Sequence, residues 1–534
     1  MSAPTTVVTP KRRRVAIGVG SAAVLLAALD AYVVVTLLIE MAADMNIAVN
    51  RLERATPIVT GFLLGYVAGM PLLGGLSDKL GRRTVIQLCL GGFLVGSVVT
   101  AASIELGEMV DLAPLHVLVA GRALQGIAGG ALLPVSMALV ADLWSEERRP
   151  VILGTVGAAQ ELGSVLGPLY GAGLAAMLGW QGIFWINVPL VLAAMVAVHF
   201  ALPGRAALAH RGPRPKVDVV GGVLLAISLG LLTVGLNNQN PEQSVLPPYG
   251  VPLILTGAAV FLLFLGWEWI ARTKLIDLSG APKLPFFAVL VGSFIAGAAL
   301  LVTLLDISLF AQGVLGLADE TESAKLLIRF LVALPVGAII GGLVATRLGL
   351  RAVTVVGFLI SALAYWLVSS WPVAVLTERH DILGLSLPRL DTDLALAGLG
   401  LGLVIAPLSA AVLRIVPPAQ HGVASAGVVV ARTMGMLIGF AGLTGWGLHR
   451  FYELTATIAP PIPRDLLNPT AAELEALAEY DRLLDAALLT EYHEIFLATA
   501  VCCLVAAVIS LAITHRRPSE APAVDRAETP AVVA

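Results

Sequence analysis

Asp30, Arg122, Glu161 and Arg432 are ionisable residues set deep inside stretches that otherwise read as continuous apolar helix. A charge near the centre of a bilayer costs about 2.5–3.5 kcal/mol on insertion scales, so such side chains face a protein interior and mark ion or substrate paths. Counted at about 1.5 Å per residue from the nearest span end, all four fall close to the midplane. Two acids and two bases at one depth make an electrically balanced cavity that can exchange protons. A carboxylate held against a guanidinium stays ionised; parted from it in a dry cavity, the same group takes up a proton. Protonation is then tied to conformation, with Asp30 and Glu161 as the coupling acids and Arg122 and Arg432 as alternating partners. Which acid carries the proton stays open. The plainer alternative is a static network of buried ion pairs that only orders the bundle. Farther out, Asp306 and Arg329 stand in the outer thirds of their spans, where they either pair as an outer gate or snorkel separately to the interface. The chemistry implied is carriage of a solute.

Such residues need a scaffold of membrane helices, and the composition supplies one. Of 534 residues, 58% are hydrophobic and 13% charged, with a mean hydropathy of +0.90, which excludes a soluble globular chain. The net charge of -3, with no basic stripe interleaved with aromatics, gives no ground for a nucleic-acid partner. Cys89, Cys502 and Cys503 lie in apolar runs, so neither a disulfide framework nor a metal site is expected. The chain has no Gly-Lys phosphate loop, no Gly-x-Ser-x-Gly elbow and no polar catalytic cluster at an interface, so neither an enzyme nor a cofactor is implied. A conducting channel is the remaining alternative to a carrier, separable by whether flux saturates.

Apolar runs of about twenty residues predict fourteen spans, at 15–40, 56–77, 84–104, 112–140, 151–178, 182–202, 217–237, 250–271, 286–312, 323–346, 351–371, 393–413, 420–450 and 484–514. The first run is too long for a signal-peptide core. Lys79, Arg82, Arg83, Arg148, Arg149, Arg347 and Arg351 fall in loops on the side of the basic N-terminus, whereas Glu105, Glu108, Asp111, Asp319, Glu320 and Glu322 fall opposite. The positive-inside rule therefore predicts that both termini are cytoplasmic. The organisation expected is an N-terminal segment at 1–14, six-helix bundles at 15–202 and 286–517, a two-helix linker at 203–285, and a disordered Pro-, Ala- and Glu-rich tail at 518–534. Gly74-Gly75-Leu76-Ser77-Asp78-Lys79-Leu80-Gly81-Arg82-Arg83 is echoed by Gly342-Leu343-Val344-Ala345-Thr346-Arg347-Leu348-Gly349-Leu350-Arg351. The echo suggests two parallel repeats.

The first of these segments resembles the loop signature of the major facilitator superfamily. Leu118-Val119-Ala120-Gly121-Arg122-Ala123-Leu124-Gln125-Gly126 resembles that family's fourth-span motif, and Gly163-Ser164-Val165-Leu166-Gly167-Pro168-Leu169-Tyr170-Gly171 its fifth-span antiporter motif. Leu29-Asp30 is similar to the acidic first-span motif of the fourteen-span drug:proton antiporters. The resemblance implies an all-α fold of two six-helix bundles plus two linker spans, proton antiport, and export of hydrophobic compounds. It places Asp78 against the start of the thirteenth span near His421-Gly422, as a cytoplasmic gate completed by Arg82 and Arg83. Thr346 stands where the second repeat would carry an aspartate, so the latch is expected once only. The alternative for Asp78 is a solvated turn. Gly163, Gly167 and Gly171, like Gly61, Gly65 and Gly69, make ridges on which helices approach closely, and Pro168 permits a bend.

Two outer features depart from a generic exporter. Apolar stretches around Thr377-Glu378-Arg379-His380-Asp381, within 371–393, predict a β-hairpin. The thirteenth span runs on from Gln420 to Pro460-Pro461, and the last helix starts at Thr470 with Glu473 completing a capping box. Helices of about 40 and 45 residues are far longer than a core of about 30 Å requires. The alternative is two ordinary spans joined by a separate surface hairpin. This architecture is similar to that of mycobacterial exporters of triacylglyceride-type lipids, which work with a periplasmic lipoprotein. The partners implied are protons, membrane lipids, such a lipoprotein and a hydrophobic substrate, lipid or small lipophilic drug.

Overall fold

The computed structural model describes residues 10–45, 47, 55–202, 218–236, 246–271, 282–317, 320–382, 385–459, 461 and 470–513. The predicted tail and most of the linker's connecting segments lie outside this set. The N-terminal half consists of α1 (Pro10–Asp44), α2 (Thr56–Leu80), α3 (Arg82–Ala101), a short α4 (Ser103–Met109), α5 (Pro114–Gly130), α6 (Leu132–Leu143) and α7 (Arg149–Ala201). The linker contributes α8 (Val219–Leu236) and α9 (Gly250–Ile270). The C-terminal half consists of α10 (Lys283–Gly313), α11 (Glu320–Leu348), α12 (Leu350–Val368), the strands β1 (Arg379–Ile382) and β2 (Leu385–Pro388), α13 (Arg389–Ile415), α14 (His421–Thr455) and α15 (Ala471–Ser510). Among the described residues, twelve helices are long and apolar enough to cross a membrane, and Val220–Leu236 is a shorter apolar helix.

Local chemistry accounts for the breaks. Gly81 and Gly349 both take positive φ, 93° and 87°, and each turns the chain directly from one helix into the next. Only glycine enters that region without a Cβ penalty, so the sequence echo is also a backbone echo. The predicted fifth and sixth spans form one helical stretch whose single non-helical residue is Gly179. Gly179 is where the predicted fifth span turns into the sixth, and the missing side chain makes its φ of 67° accessible. The predicted fourth span is two helices meeting at Ala131.

The β-hairpin is present, antiparallel, with Arg379 opposite Pro388 and His380 opposite Leu387. Thr470 and Glu473 form the expected capping box, in which the Thr470 hydroxyl accepts from the Glu473 amide. Such a cap stabilises a helix end by about 1 kcal/mol. The two long helices run to 35 and 40 residues, slightly less than expected. At about 1.5 Å per residue they still exceed a core of about 30 Å.

The apolar core has a telling layout. At the end bearing Gly81 and Gly349, one continuous cluster joins both halves, including Leu90, Leu139 and Val156 from one and Val289, Phe358 and Leu413 from the other. At the opposite end the core splits by half. Val34, Leu37, Trp180 and Phe184 form one cluster, and Phe310, Phe330, Tyr365 and Phe496 another. Among the described residues, burial therefore joins the halves at the Gly81 end and not at the opposite one.

Candidate functional site in the membrane interior

α1, α5 and α7 bring Asp30, Arg122 and Asn187 together inside the N-terminal half. Arg122 Nη1 donates to Asp30 Oδ2 at 2.7 Å, and both side chains are 1% exposed. Asp30 Oδ1 accepts from Asn187 Nδ2 at 2.8 Å and from Gln125 Nε2 at 3.3 Å. Gln125 is itself fully engaged, giving its other hydrogen to Ser97 and accepting from Arg122 and Thr100. The ring of Phe62 covers the guanidinium at 4.2 Å, and that of Phe184 lies at 5.6 Å. A cation over an aromatic face in a dry site is held by the ring quadrupole. The carboxylate is thus met by a cation and two amides, as a buried charge requires.

Glu161 and Arg432 make the second pair, and this one crosses the molecule. Arg432 Nη1 on α14 donates to Glu161 Oε1 on α7 at 3.0 Å, with side chains 12% and 4% exposed. Helix packing sets the position of Arg432. Gly297 of α10 lies against its carbonyl oxygen, and Gly435 lies in turn against that of Phe294. Neither position leaves room for a Cβ, so α10 and α14 approach backbone to backbone. On the other side, Gly163 and Gly167 of α7 pack on Ala28 and Tyr32 of α1, which fixes Glu161 relative to Asp30. Arg432 lines a cavity of about 20 Å³ with Gln160, Ser293 and Ser409 amid Leu133, Met137, Val404 and other apolar side chains. That is room for about one water, so the halves meet closely here.

The four ionisable residues therefore sort into Asp30–Arg122 within one half and Glu161–Arg432 between halves. At the Gly81 end, Asp78 ends α2 and accepts from the amides of Gly422 and Val423, at 3.0 and 3.3 Å. Those are free amides of the first turn of α14, where the helix dipole favours a negative charge. Arg82 bonds Asp78 at 2.6 Å and Asp142 at 3.0 Å, and His421 Nδ1 lies 3.9 Å from Asp142. Arg83 is half-buried and has no hydrogen-bond or ion-pair partner among the described residues. In the second repeat Thr346 only bonds back to the carbonyl of Leu343.

The Asp306–Arg329 pair does not exist. Arg329 bonds Asp391 at 2.7 Å on the exposed surface, whereas Asp306 is fully buried and turned towards Thr444. The two face different neighbours because they leave α10 and α11 on different sides. Sequence reasoning missed Asn187 and Asp142, although each is a lone polar residue in or at the end of an apolar run. It also missed Gln125 and Glu491; Gln125 stood inside a quoted motif.

Two halves joined through a buried ion pair, on a multi-pass helical frame, define a membrane transporter. The sequence profile of the Major Facilitator Superfamily matches residues 20–440, and the chain belongs to that family. It is 52% identical to the triacylglyceride transporter of Mycobacterium tuberculosis, over 95% of either chain. It is 53% identical to that of Mycobacteroides abscessus, over 88% of this chain and 90% of the other. Among solved structures, the human organic anion transporter MFSD10 (TETRAN) superposes with a TM-score of 0.55 at 18% identity, covering 93% of this chain and 100% of the other.

Proposed function

We propose that this protein is a proton-driven exporter of triacylglyceride-type lipids, working by alternating access across the bacterial plasma membrane. The observation that carries the coupling is the buried Glu161–Arg432 bond between the halves. A proton arriving on Glu161 removes the charge that holds Arg432, and the halves can part. Asp30 and Arg122 form a second lock whose proton affects the shape of the N-terminal half. The core layout supports alternation, because among the described residues burial joins the halves at one end and not at the other. That end carries the Asp78–Gly422 latch and, on this reading, faces the cytoplasm together with both termini. Counting α7 as two spans and adding α8 gives fourteen crossings. The outer gate remains a proposal for Asp306, without Arg329 as its partner.

The substrate class rests on the identity with the triacylglyceride transporters. The apolar lining around Arg432 and the long outer helices α14 and α15 suit a molecule that must not enter water. A periplasmic lipoprotein is the proposed acceptor. Cellular lipids compared with and without the gene, alongside efflux of lipophilic drugs from the same cells, test this reading. Retained triacylglycerides in the deletion, with drug efflux unchanged, are expected. Lost drug efflux with an unchanged lipid content would favour a multidrug antiporter.

A further inference from the structure

Asp306 is 0% exposed, and its only bond among the described residues is a long one, 3.4 Å from the Thr444 hydroxyl to either carboxylate oxygen. Glu491 of α15, 6% exposed, makes no hydrogen bond or ion pair with any described residue. It is aimed at the same place. Its Oε1 lies 3.1 Å from where a Cβ on Gly447 would stand, and its charge acts on Asp306. Thr444 and Gly447 are three residues apart, on one face of α14. Two carboxyl groups thus converge on that face, from α10 and from α15, without a cation.

Several charged and titratable groups on the surrounding helices are engaged elsewhere. On α14, Arg450 bonds Glu453 at 2.7 Å and Glu494 of α15 at 3.2 Å. His493 of α15 bonds the carbonyl of Trp371. On α12, Tyr365 is tied to Thr303 and to the carbonyl of Ala299. On α13, Asp393 is held by Trp371 and His380, and on α11 Arg329 is spent on Asp391. Two desolvated carboxylates with one weak neutral donor cannot both stay ionised, and the cheapest neutralising ligand is a proton.

We propose that Asp306, Thr444 and Glu491 form a further proton-binding site, apart from Glu161 and Asp30, at the base of the α14–α15 hairpin. Counted at about 1.5 Å per residue along α14, it lies roughly 18 Å beyond Arg432, on the side where the core is split. There it takes up a proton from the outer solution. Its part in driving transport rests on the proton-coupled reading, but its proton binding does not.

Infrared difference spectra of the full-length protein in lipid nanodiscs, recorded across a pH step, read protonated carboxyl groups directly. The wild type is expected to show a carboxyl C=O band that persists in Glu161→Gln. That band should weaken in Asp306→Asn and in Glu491→Gln and disappear in the double variant. If Asp306→Asn fails to fold, weakening in Glu491→Gln alone decides in favour. A band unchanged in the double variant overturns the proposal. So does displacement of the band by sodium at fixed pH, which would make the site a metal site. A band that tracks both residues in a protein whose export proves uncoupled from protons upholds the site and overturns only the coupling.

Discussion

Replacing Arg432 by alanine deletes the guanidinium that reaches Glu161 at 3.0 Å and leaves a carboxylate only 4% exposed. Removing one partner of a buried ion pair costs about 3–5 kcal/mol, because the survivor is an unpaired buried charge. Arg432 retains 12% exposure, so water reaches the site in part and the lower figure applies. The pair bridges α7 and α14 only while the halves are together, so the cost falls on the joined state. At 1.4 kcal/mol per factor of ten, about 3 kcal/mol moves the joined–parted equilibrium roughly 100-fold towards parted. Spin labels at Ser145 and Arg347, on opposite halves at the Gly81 end, report that separation as a distance distribution. Adding Glu161→Gln to Arg432→Ala removes the stranded charge and should restore most of the short-distance population. An unchanged distribution in Arg432→Ala, or no recovery in the double variant, would refute the reasoning.

Asp78→Asn keeps the size of the side chain but loses the charge facing the first turn of α14 and Arg82. The latch should weaken by about 1–2 kcal/mol, raising cysteine labelling at the Gly81 end of α2 and α14. Unchanged labelling would make Asp78 a bystander. Asp30→Asn preserves shape and membrane insertion while removing an ionisable group that Arg122 and Asn187 hold. Transport should fall at least tenfold at normal expression, whereas wild-type rates would remove Asp30 from the mechanism. Shortening α14 and α15 in register beyond Arg450 and Glu494 should abolish lipid delivery without lowering membrane insertion. Export at the wild-type rate would show that the extensions are dispensable.

Much of this was legible because charges in apolar helix are costly and therefore few. Asp30, Arg122, Glu161 and Arg432 stood out on that ground alone, and the structure joins them in two pairs. Asp78 was placed at the start of α14 only through family resemblance, since helix dipoles do not say which helix is near. Turns were readable where a small residue repeated in context, as at Gly81 and Gly349, and the capping box at Thr470 follows from two residue types. What hid was whatever depends on rotation about a helix axis. Counting residues put Asp306 and Arg329 in the outer thirds of their spans but could not tell a pair from two separate side chains, and the structure shows them on different neighbours. Glu491 was hidden for the same reason. It sits in an amphipathic stretch where acids are ordinary, and only packing against α14 shows that it points inward.

Simultaneous recording of lipid export and proton movement by the purified protein in liposomes tests the central claim most directly. With a pH gradient imposed and a triacylglyceride loaded in the membrane, the wild type should move lipid to an acceptor and protons the opposite way. Glu161→Gln should lose gradient-driven export yet still exchange lipid without a gradient. Lipid export that ignores the pH gradient, or a Glu161→Gln variant that remains fully gradient-driven, would contradict the account.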